Sequence, residues 1–184
     1  VRDKVLVFSE LCHGCGGCAL ACPAHAISEE EHEIGVAESG YSGGIAFVHG
    51  RLRVGAAMSP PLIRAVKAMT PGVEHVILDA PPGTSCPVVA TLRGSDFVVL
   101  VTEPTPFGLH DLTLAVDTVR QIGLRFGVVI NRCDVGDDRV TAYCSRERIP
   151  VLLEIPENRR IAEAYSRGEI AVRAVPEVQA LFGA

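Results

Sequence analysis

A chain of 184 residues, 48% hydrophobic and 21% charged, has enough apolar material for a core and does not have the composition of a disordered segment. Its net charge of −5 and the lack of any Lys/Arg block exclude the usual footprint for nucleic acid or an acidic membrane surface. No apolar run reaches the ~18 residues of a membrane span, no leader-like segment opens the chain, and seven cysteines in that setting point to a reducing cytoplasm and to metal, not disulfides.

The chain opens on Val1 and enters a strand-like run, Val5-Leu6-Val7-Phe8, at once, so a piece of a longer polypeptide is expected. Next comes Cys12-His13-Gly14-Cys15-Gly16-Gly17-Cys18-Ala19-Leu20-Ala21-Cys22-Pro23. This is the C-x2-C-x2-C-x3-C-P run of bacterial ferredoxins. Three cysteines at two-residue gaps wrap a tight loop around one face of a cube, each thiolate meeting a different iron. Gly14, Gly16 and Gly17 let the backbone turn sharply and aim N–H groups at sulfide. Ala19-Leu20-Ala21 then starts a helix that carries Cys22 away, and in two-cluster ferredoxins that fourth cysteine serves the other cluster. Zinc sites use two separated pairs instead. Cys12, Cys15, Cys18 and Cys22 are therefore the expected ligands of a 4Fe-4S cluster, with one or two clusters in the whole protein. His13 reads as a solvent-facing side chain, and Glu29-Glu30-Glu31 as a solvated turn.

Further along, short apolar runs alternate with helix-like stretches. Strands are expected at Val76-Ile77-Leu78, Phe97 to Val101, Phe126 to Ile130 and Val151-Leu152-Leu153, buried on both faces of a parallel sheet. Helices are expected over Pro60 to Met69, His110 to Ile122 and Arg159 to Arg167. The fold class is α/β. Cys86, Cys133 and Cys144 stand alone and read as buried small apolar residues. Asp79, followed by Ala80-Pro81-Pro82-Gly83-Thr84, closes the first of these strands. An Asp there holds Mg²⁺ through water or caps a helix, and the residues alone leave both readings open. Asn131 likewise either reads a base edge or sits in a turn. No G-x-x-x-x-G-K-[ST] phosphate loop occurs in these residues.

Together, the cysteine run, Asp79 to Pro87, Thr102 to Gly108, Val129 to Arg132 and Ile155 to Ala162 resemble the MinD/ParA-type P-loop ATPases with an inserted ferredoxin domain, relatives of the Mrp-type scaffolds and the nitrogenase iron protein. The resemblance implies a parallel-sheet P-loop NTPase-like core, incomplete here, with a small bacterial-ferredoxin-like insert. Residues 1–40 would be the second half of that insert and 41–184 the C-terminal part of the ATPase domain. It implies Asp79 as the Walker B carboxylate near Mg²⁺, with Gly83 and Thr84 in a switch loop sensing the γ-phosphate. Asn131 and Arg132, with Pro156 and Asn158, would line the site of the ATP base. It further implies a homodimer, a redox or cluster-accepting protein partner, and a nucleotide cycle coupled to redox or cluster handling. The missing first strand would lie between the strand ending at Asp79 and the strand 97–101. The alternative is a ferredoxin-type electron-transfer or cluster-binding module on a non-catalytic α/β scaffold, and without the phosphate loop this chain is not expected to hydrolyse ATP alone.

Overall fold

The computed structural model describes residues 6–8, 12, 14–56 and 58–182. Val1, Val5 and His13 lie outside them. The chain divides into two compact units, Val1–Thr91 and Leu92–Ala184.

In the first unit, α1 (Gly17–Ala21) follows the cysteine loop, as expected for Ala19 to Ala21. Leu6, Val7 and Phe8 are exposed and form no strand. An antiparallel hairpin follows, β1 (Gly35–Ser42) and β2 (Ile45–Leu52), with Ser42 opposite Ile45. No strand was expected there from the residues alone. Its turn is Gly43-Gly44, both with positive φ (55° and 83°), the backbone a two-residue hairpin turn requires. Helix α2 (Pro60–Ala68) packs on one hairpin face, Leu62 and Val66 lying against the bare backbone of Gly50. It ends where expected, and Lys67 Nζ donates to the carbonyls of Ala90 and Thr91 (3.4 and 2.8 Å) in α3 (Cys86–Leu92).

The expected strand at Val76-Ile77-Leu78 is corrected: it joins no ladder, and Ile77 is 96% exposed. The residues have strand propensity, but no described segment supplies the neighbouring hydrogen-bonding edge that makes a strand.

The second unit is a three-stranded parallel sheet, order β3-β4-β5: β3 (Phe97–Thr102), β4 (Arg125–Asn131) and β5 (Val151–Ile155). Helix α4 (Pro106–Ile122) connects β3 to β4, and α5 (Arg139–Arg146) connects β4 to β5. Helix α4 begins four residues earlier than the apolar spacing predicted. Thr105 caps it by accepting from Gly108 N (3.0 Å) and Pro106 occupies the first turn, so capping and not apolar periodicity sets its start. Helices α6 (Arg159–Ser166), α7 (Ala171–Ala174) and α8 (Pro176–Phe182) complete the unit, with Arg160 paired to Glu177 (2.8 Å) between α6 and α8.

The core joins Leu112 and Val116 of α4, Val128 and Ile130 of β4, and Val140, Tyr143 and Cys144 of α5, closed by Ile149. The expectation of strands buried on both faces is corrected for β3 and β5: Phe97, Val99 and Val101 are 44%, 52% and 66% exposed while Val98 and Thr102 between them are buried, and no residue of β5 is fully buried. Arg120 at the end of α4 holds Glu147 at the end of α5 (3.0 Å), keeping that carboxyl below its ordinary pKa.

Because Ile130 is 1% exposed at the centre of this seam, Ile130→Ala should cost about 2–5 kcal/mol. Urea unfolding of the second unit checks it, as a lower midpoint at unchanged slope.

Candidate cluster and nucleotide sites

The cysteine loop is built as its composition predicts. Gly14 and Gly16 take φ of 60° and 71°, a backbone that L side chains rarely adopt, and Gly16 leads directly into α1. Two backbone N–H groups already reach sulfur: Gly14 N donates to Cys12 Sγ and Ala26 N to Cys22 Sγ, each at 3.4 Å. The second contact follows a sharp turn after Pro23, where His25 takes φ 48° and donates its N–H to Cys22 O. Cys12, Cys15 and Cys18 are exposed and Cys22 is half-buried. Among the described residues, no three cysteine, histidine or carboxylate side chains are gathered tightly enough to grip one ion. Thiols at ferredoxin spacing, with N–H groups aimed at two of the sulfurs, are nevertheless the donor chemistry that 4Fe-4S clusters take.

The resemblance's nucleotide residues fall in both units. Asp79, Gly83 and Thr84 lie in the first, all exposed, in the irregular stretch before α3. In the second, the loops following β3, β4 and β5 are tied to one another. Arg132 has φ 54°, and its guanidinium pairs with Glu157 and lies 3.8 Å from Glu103, so that its pKa rises further. Asp134 accepts from Glu157 N (2.6 Å), Cys133 N donates to Ile155 O (3.0 Å), and Asp137 N donates to Pro104 O (3.3 Å). Asn131 ends β4 opposite Ile155 and lines an open depression of ≈ 430 Å³ with Thr102, Glu103, Phe107 and Asp111. Pro156 is exposed just beyond β5. The Asn158 side-chain oxygen accepts from Arg160 N (2.9 Å) and thereby caps α6.

Glu103, Asp134 and Glu157 were not singled out from the sequence. The signal was present: each lies within about three residues of the carboxyl end of a parallel strand, where open α/β sheets bind ligands.

Residues 5–28 match the family model of the 4Fe-4S binding domain. The chain superimposes on the cell-division ATPase MinD of Pyrococcus furiosus with a TM-score of 0.55 and 26% identity, over 67% of this chain and 53% of that one. This is a MinD-like fold with a ferredoxin motif. The septum site-determining protein MinD of Pyrococcus horikoshii, solved with Mg-ADP, has the same fold: TM-score 0.56, 24% identity, 67% of this chain and 52% of that one. An uncharacterized protein of Methanocaldococcus jannaschii, MJ0579, is 30% identical over 172 residues, 92% of this chain and 59% of its own length. The MinD-like chain thus spans little more than half the length of these relatives. No described helix is long and apolar enough to cross a membrane.

Of the three cysteines outside the motif, Cys144 is buried as expected and Cys133 is half-buried. Cys86 is exposed, a correction: it sits at the first residue of α3, outside any packed face. Burial raises the pKa of the Cys133 and Cys144 thiols, and Glu154 and Asp134 raise that of Cys133 further. Only the thiolate is the nucleophile. With iodoacetamide at neutral pH, Cys86 should therefore label at least about tenfold faster than Cys133 or Cys144, as read by peptide mass mapping. Equal rates would contradict the packing of β4 and α5.

Proposed function

We propose that this chain is the cluster-bearing, nucleotide-binding part of a cytoplasmic MinD-type ATPase that couples its nucleotide cycle to redox or cluster handling. The observation that carries the reading is a complete ferredoxin cysteine run in one chain with a MinD-like sheet. When bound, a 4Fe-4S cluster supplies low-potential one-electron chemistry. Cys12, Cys15 and Cys18 hold it, while Cys22 either completes that site or serves a second cluster. The Gly14 and Ala26 N–H groups place partial positive charge on the sulfurs of Cys12 and Cys22.

In the nucleotide reading, Asp79 holds Mg²⁺ through water and Gly83 and Thr84 sense the γ-phosphate. The Asn131 amide meets the base in the depression beside Phe107, with Arg132, Pro156 and Asn158 lining the site of the base. Acidic residues crowd that rim: Glu103, Asp111, Asp134 and Glu157. Coulomb repulsion therefore favours the base there and the phosphates elsewhere. The assembly proposed is a homodimer, with a redox or cluster-accepting protein as its partner.

One observation favours a second reading. These residues contain no Lys-Ser/Thr phosphate loop, so a ferredoxin-type module on a non-catalytic scaffold accounts for them as they stand.

Matched substitutions in the native polypeptide separate the two. Asp79→Asn should abolish Mg²⁺-dependent ATP turnover and leave iron content unchanged. Cys15→Ser should lower iron content and leave Mg-ATP affinity within about twofold. Native protein that neither binds nor hydrolyses ATP leaves only the second reading.

A further inference from the structure

We propose that Glu29 tunes the cysteine loop electrostatically, its carboxylate lowering the reduction potential of a cluster held by Cys12, Cys15 and Cys18. This rests on the cluster reading above and goes beyond it, to one residue and one measurable property.

The geometry comes from the return of the chain after α1. The turn at Pro23 to His25 sends the backbone back past the loop. The two Glu29 carboxylate oxygens then lie 3.7 and 3.8 Å from the point above Gly16 where a Cβ would stand. Gly16 lies between Cys15 and Cys18, so the charge sits over the loop itself. No Glu30 or Glu31 atom comes within 4 Å of that point or of the equivalent points at Gly14 and Gly17. Among the described residues, the Glu29 carboxylate has no hydrogen-bond or ion-pair partner.

The physics is one of sign. Taking up one electron from a reductant such as dithionite makes the cluster more negative and transfers no proton. A fixed anion nearby raises the energy of the reduced form more than that of the oxidised form, and so lowers the potential. The carboxylate is exposed, so salt should weaken the effect.

The test is a potentiometric titration, followed by spin resonance, of anaerobically reconstituted wild-type protein and of Glu29→Gln, Glu29→Asp and Glu30→Gln. Glu29→Gln should favour reduction by about threefold, an upward shift of ~28 mV at 59 mV per tenfold for one electron. The shift should shrink at high salt. Glu29→Asp should keep the wild-type potential, and Glu30→Gln should shift it by less than half as much. An unchanged potential in Glu29→Gln overturns the assignment. So does an equal shift in Glu30→Gln, which would reduce the effect to net charge, and so does loss of iron from Glu29→Gln alone, which would make the residue structural. Wild-type protein without iron and sulfide is a separate result: it defeats the cluster reading, and this assignment with it.

Discussion

The contact between α4 and the central strand β4 governs the geometry of the second unit. Val116 and Leu112 press onto Val128 and Ile130, and α5 closes the same seam with Val140 and Tyr143. Burying side chains of this size is worth about 1.5–3 kcal/mol each, enough to make this seam the dominant local term. Its consequence is positional. With β4 held at this depth, and β3 and β5 in parallel register on either side, three loops emerge at one edge of the sheet. The Arg132–Glu157 pair and the Asp134 bond to Glu157 N add little stability, being exposed, but they restrict how those loops are arranged. The second unit therefore offers a rim at its carboxyl edge, with Asn131 at the centre.

The cysteine loop follows a different logic. It has almost no core: α1 buries no residue, and three of the four cysteines face solvent. Its shape comes from local backbone constraint, left-handed glycines at 14 and 16 and short N–H to sulfur contacts. In such a segment ligand binding, and not hydrophobic burial, supplies most of the energy that fixes the fold. Because little protein stands between its sulfurs and water, solvent and salt partly screen the charges around it, and only a carboxylate as near as Glu29 is felt.

The sequence made the cysteine motif, three strands and three helices legible for identifiable reasons. The motif is dense and its spacing is specific. The strands at 97, 126 and 151 are apolar runs with partners, and α4 has a full apolar stripe. The hairpin 35–52 was missed although β2 carries Ile45, Phe47, Val48 and Leu52, because its glycines and charged residues break any long apolar run and its decisive signal is one Gly43-Gly44 turn. The run at Val76 to Leu78 misled for the opposite reason. It has the composition of a buried strand, but a strand is a relation between two segments, and no described segment pairs with it. Of the residues proposed for the nucleotide, Asn131 at the end of β4 and Arg132 just beyond it were named from their place at the carboxyl edge of the sheet. The carboxylate partners of Arg132, Glu103 and Glu157, are distant in sequence, and pairing across three loops is visible only once the sheet is assembled.

The most direct test of the account is elemental and spectroscopic: iron, acid-labile sulfide and zinc in anaerobically purified native protein, with a low-temperature spin-resonance spectrum after dithionite reduction. The account predicts iron and sulfide in about equal amounts, a reduced-state 4Fe-4S signal, and loss of both when Cys12, Cys15 and Cys18 are replaced together. Zinc in their place, or no metal in protein purified and handled without oxygen, would contradict it.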